Sequence, residues 1–557
     1  MGKATKTREQ TSTAKKPAKR PASANGAAPH NEQLVAAPDF VAADKPAGAQ
    51  SQDGQDKSGA KSVVADEDFL LYVLAKLPLI QSTADLADLY VEVSYGTLTA
   101  LYKLGAARVH EQLNILADEF SHGDPKAFIN KTGFQEVQDF LRSKAHRVAK
   151  RRPVFKRTAY LPDDHEIWID LSQELDGTCI RITANGWSTE EPLQPFFVRF
   201  PTQRPLPTPE ACDDGYAAFK RILPPGITDE HAKLLLGAQL ACLVPTNFAA
   251  SFSYPIVILT GEAGSGKSTL AKFIKTLLDN EVTTTAAKPA KIDDLFVSAQ
   301  TSHLLSYDNV DFIKGSLSDA VCQLSTGSAI VKRRLYTDAD LTILRAHCPV
   351  MFNGISPDIP RQDLIDRSIH IHLARISAVD GYDPDAVNQT HADLPLVMGY
   401  LCDLLSRALR NYATTRLAQA PRLSLLAKIA TAAEPFGIDT PYVDLLVANQ
   451  HEALIATQDN DLVIAALFQL LEHAPSWTGT FKSLLAALTA RADDATARSP
   501  EWPTSPRKLA LHLQQNARLL HEQGLEITKG RKTEHGRVVT ILRRTTNTPD
   551  APSIPFR

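Results

Sequence analysis

The stretch Gly261-Glu262-Ala263-Gly264-Ser265-Gly266-Lys267-Ser268-Thr269 holds the residues of this chain best suited to chemistry. Its spacing fits G-x-x-x-x-G-K-[ST] at every position. Glycines let such a loop wrap closely, so that successive backbone N–H groups point inward at phosphate oxygens. Lys267 supplies a cation for the β- and γ-phosphates, and the Ser268 hydroxyl supplies a ligand for Mg2+. The implied cofactors are ATP and Mg2+. A merely flexible glycine turn would not need the flanks that this loop has. Ile256–Leu259 is a continuous apolar run, the pattern of a strand buried on both faces. Behind the loop Leu270, Phe273, Ile274, Leu277 and Leu278 recur at helical spacing. Strand, loop and helix therefore come in the order that phosphate binding requires, and the helix N-terminus adds partial positive charge.

Other candidates lie downstream. The short apolar run before Asp308 suits a Walker-B strand, whose carboxylate holds Mg2+ through water. Asn309 follows where many such sites carry Glu. An amide cannot accept a proton, so Asp311 or another group takes that part, or hydrolysis is slow. Pro349–Phe352 reads as a further buried strand, and Asn353 at its end is suited to orienting an attacking water. Arg361 and Arg367 precede the strand Ile369–Leu373. An arginine there can neutralise charge on a transferring phosphoryl group, or it can form a surface salt bridge with Asp363 or Asp366. Arg422 follows Pro421 at an expected helix start, where it either points at the nucleotide from a lid or is solvated. Lys332, Arg333 and Arg334 lie on the first arm of an expected hairpin over 326–346, turning at Thr337–Asp340. They meet either phosphates or water.

These candidates need a framework, and the composition supplies one. The chain has 557 residues, of which 43% are hydrophobic, enough for several domains. Its formal charge of −3 gives no bulk attraction for nucleic acid, so any such contact needs a local patch. The six cysteines form no C-x-x-C pair, which argues against a zinc site or a disulfide framework. No apolar run approaches the roughly 20 residues of a membrane span. The N-terminus lacks an apolar signal region and a myristoylation pattern. A cytoplasmic protein without membrane contact is expected.

Along the chain, residues 1–65 are Ala-, Lys-, Pro-, Gln- and Gly-rich and read as a disordered tail, basic at its start. Residues 66–152 read as a helical domain ending in the basic run Lys144–Arg152. Residues 153–214 read as a small β-rich module with a hairpin over Glu166–Leu171 and Cys179–Ile182, then a proline-rich linker Pro201–Pro209. An amphipathic helix over His231–Val244 leads into an α/β core spanning 215–385, with a parallel sheet. Residues 386–490 read as a helical lid region. Over 500–545, a helix capped by Ser505-Pro506, with its apolar face over Leu509–Leu520 and ended by Gly524, precedes a hairpin with the basic turn Lys529, Arg531 and Lys532. This is the pattern of a winged helix, which binds DNA or protein. Residues 546–557 are a tail.

GEAGSGKST, LLSYDNV, TG…KRRLYTDAD, PVMFNGI and DLIDRSI, in this order, resemble ATP-binding proteins of phages and integrative mobile elements. These are similar in turn to AAA+ ATPases of the superfamily-three helicase and poxvirus primase-helicase type. The likeness extends to ITANGW (Ile182–Trp187) and to WP…G…GR…I at the end, covering roughly 85–543. It implies a P-loop AAA+ core with Asp308 as Walker B, Asn353 as sensor one, Arg367 as arginine finger and Arg422 at the place of a sensor-two arginine. Lys332, Arg333 and Arg334 fall where a hairpin faces the central pore of a ring. In a sheet of this family Arg367 would emerge away from its own P-loop and act on a neighbour's nucleotide, which implies a ring oligomer, a hexamer. Asn309 departs from the acidic pair of many AAA+ enzymes. The expected function is an ATPase acting as a DNA helicase or translocase in replication of a mobile element. An ATP-dependent switch that remodels or recruits a protein partner is the alternative. A small-molecule phosphotransferase is disfavoured by the downstream sensor and finger residues.

Overall fold

The computed structural model describes residues 63–543 apart from 84–87, 96–97, 125–126, 174–175, 195, 312, 314, 334–340, 356–361, 377–383, 460, 473, 500–501 and 534–535. Of the tail expected over 1–65, residues 1–62 lie outside the described residues, as do the tail expected over 546–557, the hairpin turn at Thr337–Asp340, Arg334 and Arg361; Val63–Ala65 form a 3-10 helix.

Five parallel strands build the central sheet in the order Ala286–Ala287, Leu305–Asp308, Val350–Gly354, Ile256–Thr260, Ser368–His372. The loop's own strand Ile256–Thr260 is apolar on both sides because both faces are covered there. Val257 and Leu259 enter one core with helices Asp229–Leu243 and Lys267–Asp279. Ile256 and Ile258, pointing the other way, enter a second core with helices Ile292–Thr301 and Gly315–Thr326. The helix expected to be amphipathic over His231–Val244 spans Asp229–Leu243, capped by Thr228, and every residue from Ala232 to Leu243 is buried. It is enclosed on all sides, so its apolar character is not confined to one stripe.

Strand Ser368–His372 is the sheet's edge. The Asn449 side chain, from helix Tyr442–Asp459, accepts from the His370 N–H at 2.9 Å and donates to the His370 carbonyl at 2.7 Å. One amide thus satisfies the backbone groups that a further strand would have taken.

The segment expected to be helical over 66–152 is instead mixed. Strands Leu98–Lys103, Leu89–Tyr95, Leu79–Ser82 and Lys150–Arg152 form a four-stranded sheet in that order, packed with helices Glu67–Lys76, Ala107–Phe120 and Lys131–Val148. Leu101, Leu104, Val109, Leu113 and Leu116 read as one helical face, but Leu101 lies in strand Leu98–Lys103 and Leu104 follows it, while the other three lie in helix Ala107–Phe120. The basic run ends as a strand parallel to Leu79–Ser82, where Arg152 pairs with Glu92 at 2.9 Å.

The β-rich module is a four-stranded antiparallel meander, Thr158–Leu161, Glu166–Asp170, Cys179–Thr183 and Gly186–Glu190, with the expected hairpin in register Ile167↔Ile182. It does not stand apart from the core. Ile167, Ile169, Ile180 and Ile182 share the core of helix Asp229–Leu243. The fully buried Arg157 pairs with Asp279 at 3.1 Å, and Asp279 ends the helix behind the glycine loop. The nearby cation of Lys275 and that of Arg157 hold the Asp279 carboxyl well below its usual range, against the cost of its burial. The proline-rich segment packs too: the Leu206 N–H donates to the Leu171 carbonyl at 2.9 Å.

Past the core, the expected lid region supplies helices Pro384–Asn411, Ser424–Ala433, Tyr442–Asp459 and Leu462–Leu470. The C-terminal module runs from helix Leu462–Leu470 through strand Ser476–Thr480, helix Phe481–Thr489, helices Pro506–Gln515 and Ala517–Glu522, and strands Leu525–Thr533 and Gly536–Arg543. Its antiparallel sheet places Gly536–Arg543 between the other two strands. Ser505 caps the helix that begins at Pro506. The single helix expected over Leu509–Leu520 divides at Asn516, whose side chain donates to the His512 carbonyl at 3.1 Å. Among the described residues, no helix is long and apolar enough to cross a membrane.

Candidate functional site

The glycine loop joins the C-terminal end of strand Ile256–Thr260 to helix Lys267–Asp279. Gly261, Gly264 and Gly266 all have positive φ, at 148°, 80° and 83°. A side chain at Gly261 would meet the Leu373 carbonyl oxygen at 2.3 Å, whereas one at Gly264 would meet nothing within 4 Å. Gly261 is therefore required by close packing against the neighbouring strand's end, and Gly264 by backbone conformation alone. The first N–H groups of a helix have no intrahelical partner, and here the glycine loop leads directly into them.

Lys267 is folded back on this loop. Its ammonium donates to the carbonyls of Gly261 and Glu262, both at 2.7 Å, and lies 3.4 Å from Ser265 Oγ. Burial lowers its pKa, and the Asp308 carboxylate partly restores it. Glu262 and Ala263 are exposed, and Ser268 and Thr269 are partly exposed in the first helical turn.

Asp308 ends its strand beside the loop, although Val350–Gly354 separates it from the loop's own strand. Ser268 Oγ donates to Asp308 Oδ1 at 3.4 Å. A hydroxyl and a carboxylate side by side are the hard oxygen donors that suit Mg2+. Asn353 closes the group from the intervening strand. It is 1% exposed, its Oδ1 accepts from the Asn309 N–H at 3.3 Å, and its Nδ2 is buried without a hydrogen-bond partner. That orphaned donor next to a carboxylate fits a water or a phosphate oxygen. Asn309 has φ of 52°, a left-handed conformation that Asn tolerates better than Glu, and its N–H also donates to Asp308 Oδ1 at 2.7 Å. Asp311 follows on the exposed surface.

Arg367 and Arg422 are elsewhere. Strand Ser368–His372 pairs Ser368 with Ile256 and His372 with Thr260, so Arg367 sits at the end of the sheet remote from the loop. There its carbonyl accepts from the Ile256 N–H at 3.0 Å. Its guanidinium donates to Ser253 Oγ at 3.0 Å and pairs with Asp363 at 3.4 Å, the salt bridge that the sequence left open. Arg422 does not reach the loop as a lid residue would. It pairs with Asp363 at 2.6 Å, and it precedes helix Ser424–Ala433 without opening it. A helix start at Pro421 had placed it by local preference, while the tertiary path carries it to the far end of the sheet.

Of the cations assigned to DNA, Lys332 and Arg333 lie on strand Ser328–Arg333, paired with Leu341–Ala346. Lys529 is exposed and donates to Gln514 Oε1 at 3.4 Å, joining the C-terminal hairpin to helix Pro506–Gln515. Arg531 and Lys532 lie where the hairpin register shifts. The side chains of Lys332, Arg333, Arg531 and Lys532 lie outside the described residues.

Sequence reading missed the loop's second wall. Pro224 and Ile376 flank Gly266, where an added side chain would meet them at 3.0 and 3.5 Å. Arg375 approaches Glu262 to 3.9 Å, both side chains exposed. No spacing pattern links Pro224, Arg375 and Ile376 to the loop, because the sheet brings them together from opposite sides of the motif in sequence.

Residues 228–443 match the family described as the actinomycete integrative conjugative element replication protein. Residues 463–553 match the AICE RepA C-terminal domain. No curated protein matches the chain. Among solved structures, the apo C-terminal region of NrS-1 is 12% identical, covering 86% of this chain and 99% of that one, with a TM-score of 0.36. A ligand-bound JCV helicase is 13% identical, covering 44% of this chain and 63% of that one, with a TM-score of 0.23. Over the parallel-sheet core and the C-terminal module, the chain is therefore similar to the replication proteins of actinomycete integrative conjugative elements.

Proposed function

We propose that this protein is an Mg2+-dependent ATPase of the AAA+ type that drives a helicase or translocase step in replication of a mobile element. The observation that carries the reading is the convergence of Lys267, Ser268, Asp308 and Asn353 at one end of the parallel sheet. The loop N–H groups and Lys267 hold the β- and γ-phosphates once Lys267 leaves the loop carbonyls. Ser268 and Asp308 would hold the metal, whose chemistry there would be charge neutralisation at the phosphates. The free Nδ2 of Asn353 orients the attacking water. Asp308 and Asn353 lie at the C-terminal ends of two neighbouring strands, the second of which pairs with the loop's own strand, so the sheet order itself supports this use of the residues.

DNA is the proposed partner. The C-terminal module has the helix and sheet order of a winged helix, and its hairpin carries Lys529, Arg531 and Lys532. The hairpin of Lys332 and Arg333 exposes Val331 and Ile343 at 59% and 45%, as an arm reaching into a pore would. The position of Arg367, remote from its own loop, supports a head-to-tail ring, a hexamer, in which it serves the next subunit.

ATP turnover measured with and without single- and double-stranded DNA tests the reading. Stimulation by DNA is the expected result. Asn309 favours a second reading, since its left-handed backbone and amide leave no carboxylate at that position to activate water. Slow turnover indifferent to DNA assigns the protein to an ATP-dependent switch that remodels or recruits a protein partner. No turnover and no nucleotide binding overturn both.

A further inference from the structure

Helix Lys131–Val148 of the N-terminal module changes character along its length. Its first half mixes charges: Asp139 accepts from Gln135 Nε2 at 3.0 Å and pairs with Arg142 at 3.5 Å. From Phe140 to Pro162 the chain then carries no acidic residue at all. Lys144, Arg147, Lys150 and Arg151 are exposed along that stretch. Lys144 and Arg147, three apart, are neighbours on the helix surface. Lys150 and Arg151 follow in the edge strand Lys150–Arg152, which Ala149 alone separates from the helix. Helical and strand rises keep the four within roughly 20 Å, the length of about five phosphates along one strand of nucleic acid.

Structural uses account for only part of this charge. Arg152 turns inward to Glu92 at 2.9 Å and Gln194 at 3.1 Å. Arg151 Nε donates to Gln81 Oε1 at 3.1 Å, which leaves its charge uncompensated. A cation in the last helical turn complements the helix dipole, and one on an edge strand discourages pairing with another chain. Each of those uses needs a single residue. Among the described residues no carboxylate pairs with Lys144, Arg147, Lys150 or Arg151. The apolar side of the helix, Val137, Leu141 and Ala145, is buried against its own module, so the run offers charge without the apolar face that membrane insertion requires. The run is also anchored. Four residues past Arg152, Lys156 Nζ donates to the carbonyls of Ala299 and Ser302 at 2.6 and 2.9 Å, at the end of helix Ile292–Thr301 and just before the strand of Asp308.

Resting on the proposed replication reading, we infer that Lys144, Arg147, Lys150 and Arg151 form a further DNA-backbone contact on the N-terminal module, separate from the hairpin of Lys332 and from the C-terminal hairpin. An acid-free run of cations on a chain whose formal charge is −3 is complementary to a continuous polyanion. It holds phosphates and reads no sequence. Single strand and duplex present the same phosphate, and the test tells them apart.

The test measures fluorescence anisotropy of labelled single-stranded and duplex DNA of equal length with the full-length chain, without nucleotide, over a series of salt concentrations. Changing Lys144, Arg147, Lys150 and Arg151 together to Gln should weaken binding on the order of tenfold or more at low salt. The salt slope should become shallower by about 0.9 per lost phosphate contact on duplex, or about 0.7 on single strand. The DNA form that loses more affinity is the one held here. Exchanging Lys and Arg for one another at the four positions should keep the wild-type slope, because charge and not shape is used. ATP turnover without DNA should be unchanged in both variants. Should the fourfold Gln variant unfold, Lys144→Gln and Arg147→Gln on the exposed helix surface carry the test, each with about a quarter of the slope change. Wild-type affinity and slope for both DNA forms in the Gln variant overturn the inference. A loss confined to RNA of the same length, or to vesicles containing phosphatidylserine, overturns DNA as the occupant. If wild type binds no DNA at all, the replication reading itself fails; if it binds DNA and the Gln variant binds equally well, only this inference does.

Discussion

The two ends of the central sheet are built in opposite ways. At the end where the strands terminate in Thr260, Asp308 and Gly354, the functional groups come from a contiguous nine-residue loop and from strand tips. At the other end, Ser253, Asp363, Arg367 and Arg422 are gathered from a pre-strand segment, a short helix, a strand entry and an interhelical link. The first end is a cradle of backbone N–H groups, with one lysine folded into it. The second is a surface of side-chain charges partly satisfied by one another. A cradle can be specified locally, because glycine spacing fixes backbone conformation. A charged surface requires the fold to choose which cations meet, and it suits a ligand that arrives already bound to something else.

Breaking the cradle should have the largest effect. Lys267→Ala is expected to reduce ATP turnover to background and to weaken nucleotide binding, since it removes the one cation inside the loop; equal affinity and turnover in a direct comparison would remove the site from this end of the sheet. At the other end, Arg367→Ala should leave nucleotide affinity near wild type and cut turnover on the order of a thousandfold. An affinity loss as large as the rate loss would mean that the two ends are not separate in function.

Asp308→Ala should have a smaller effect than either, with turnover reduced by roughly a hundredfold and binding largely kept, because the phosphate cradle survives when a metal partner is lost. Retained turnover there would mean that the metal is held without this strand. Replacing Lys332, Arg333 and Arg334 together with Ala should weaken DNA binding and flatten its salt dependence, by up to about three phosphate contacts. An unchanged salt slope would make the hairpin a solvated arm. The smallest effect is structural. Asn309→Ala should cost about 1 kcal/mol in thermal or denaturant unfolding, because alanine pays more for the left-handed backbone at φ of 52°. A neutral result would show that the turn relaxes.

The N-terminal half shows where sequence periodicity misleads. Leu101 and Leu104 continue a helical template with Val109, Leu113 and Leu116, yet Leu101 lies in a strand paired with Leu89–Tyr95. The alternation in Leu89-Tyr90-Val91-Glu92-Val93 marks its partner, and only pairing reveals both as strands. Similarly, a composition shift sets residues 153–214 apart as a module, although the isoleucines of its hairpin lie in the core of the parallel-sheet unit. A hydrophobic face declares that it must be buried but not against what.

The sequence by itself determined the glycine loop, the strand before it and helix behind it, the strand ends at Asp308 and Asn353, and the C-terminal helices and hairpin. Each depends on neighbours within a few positions, where backbone sterics and side-chain period act directly. Tertiary structure alone decided that Asp308 reaches Ser268 across an intervening strand, that Arg375 meets Glu262 beside the loop, and that Arg422 meets Asp363 at the far end of the sheet. Those meetings depend on strand order and on the paths of long connections. Both are set by how the whole chain shares its buried surface, and no local pattern records that.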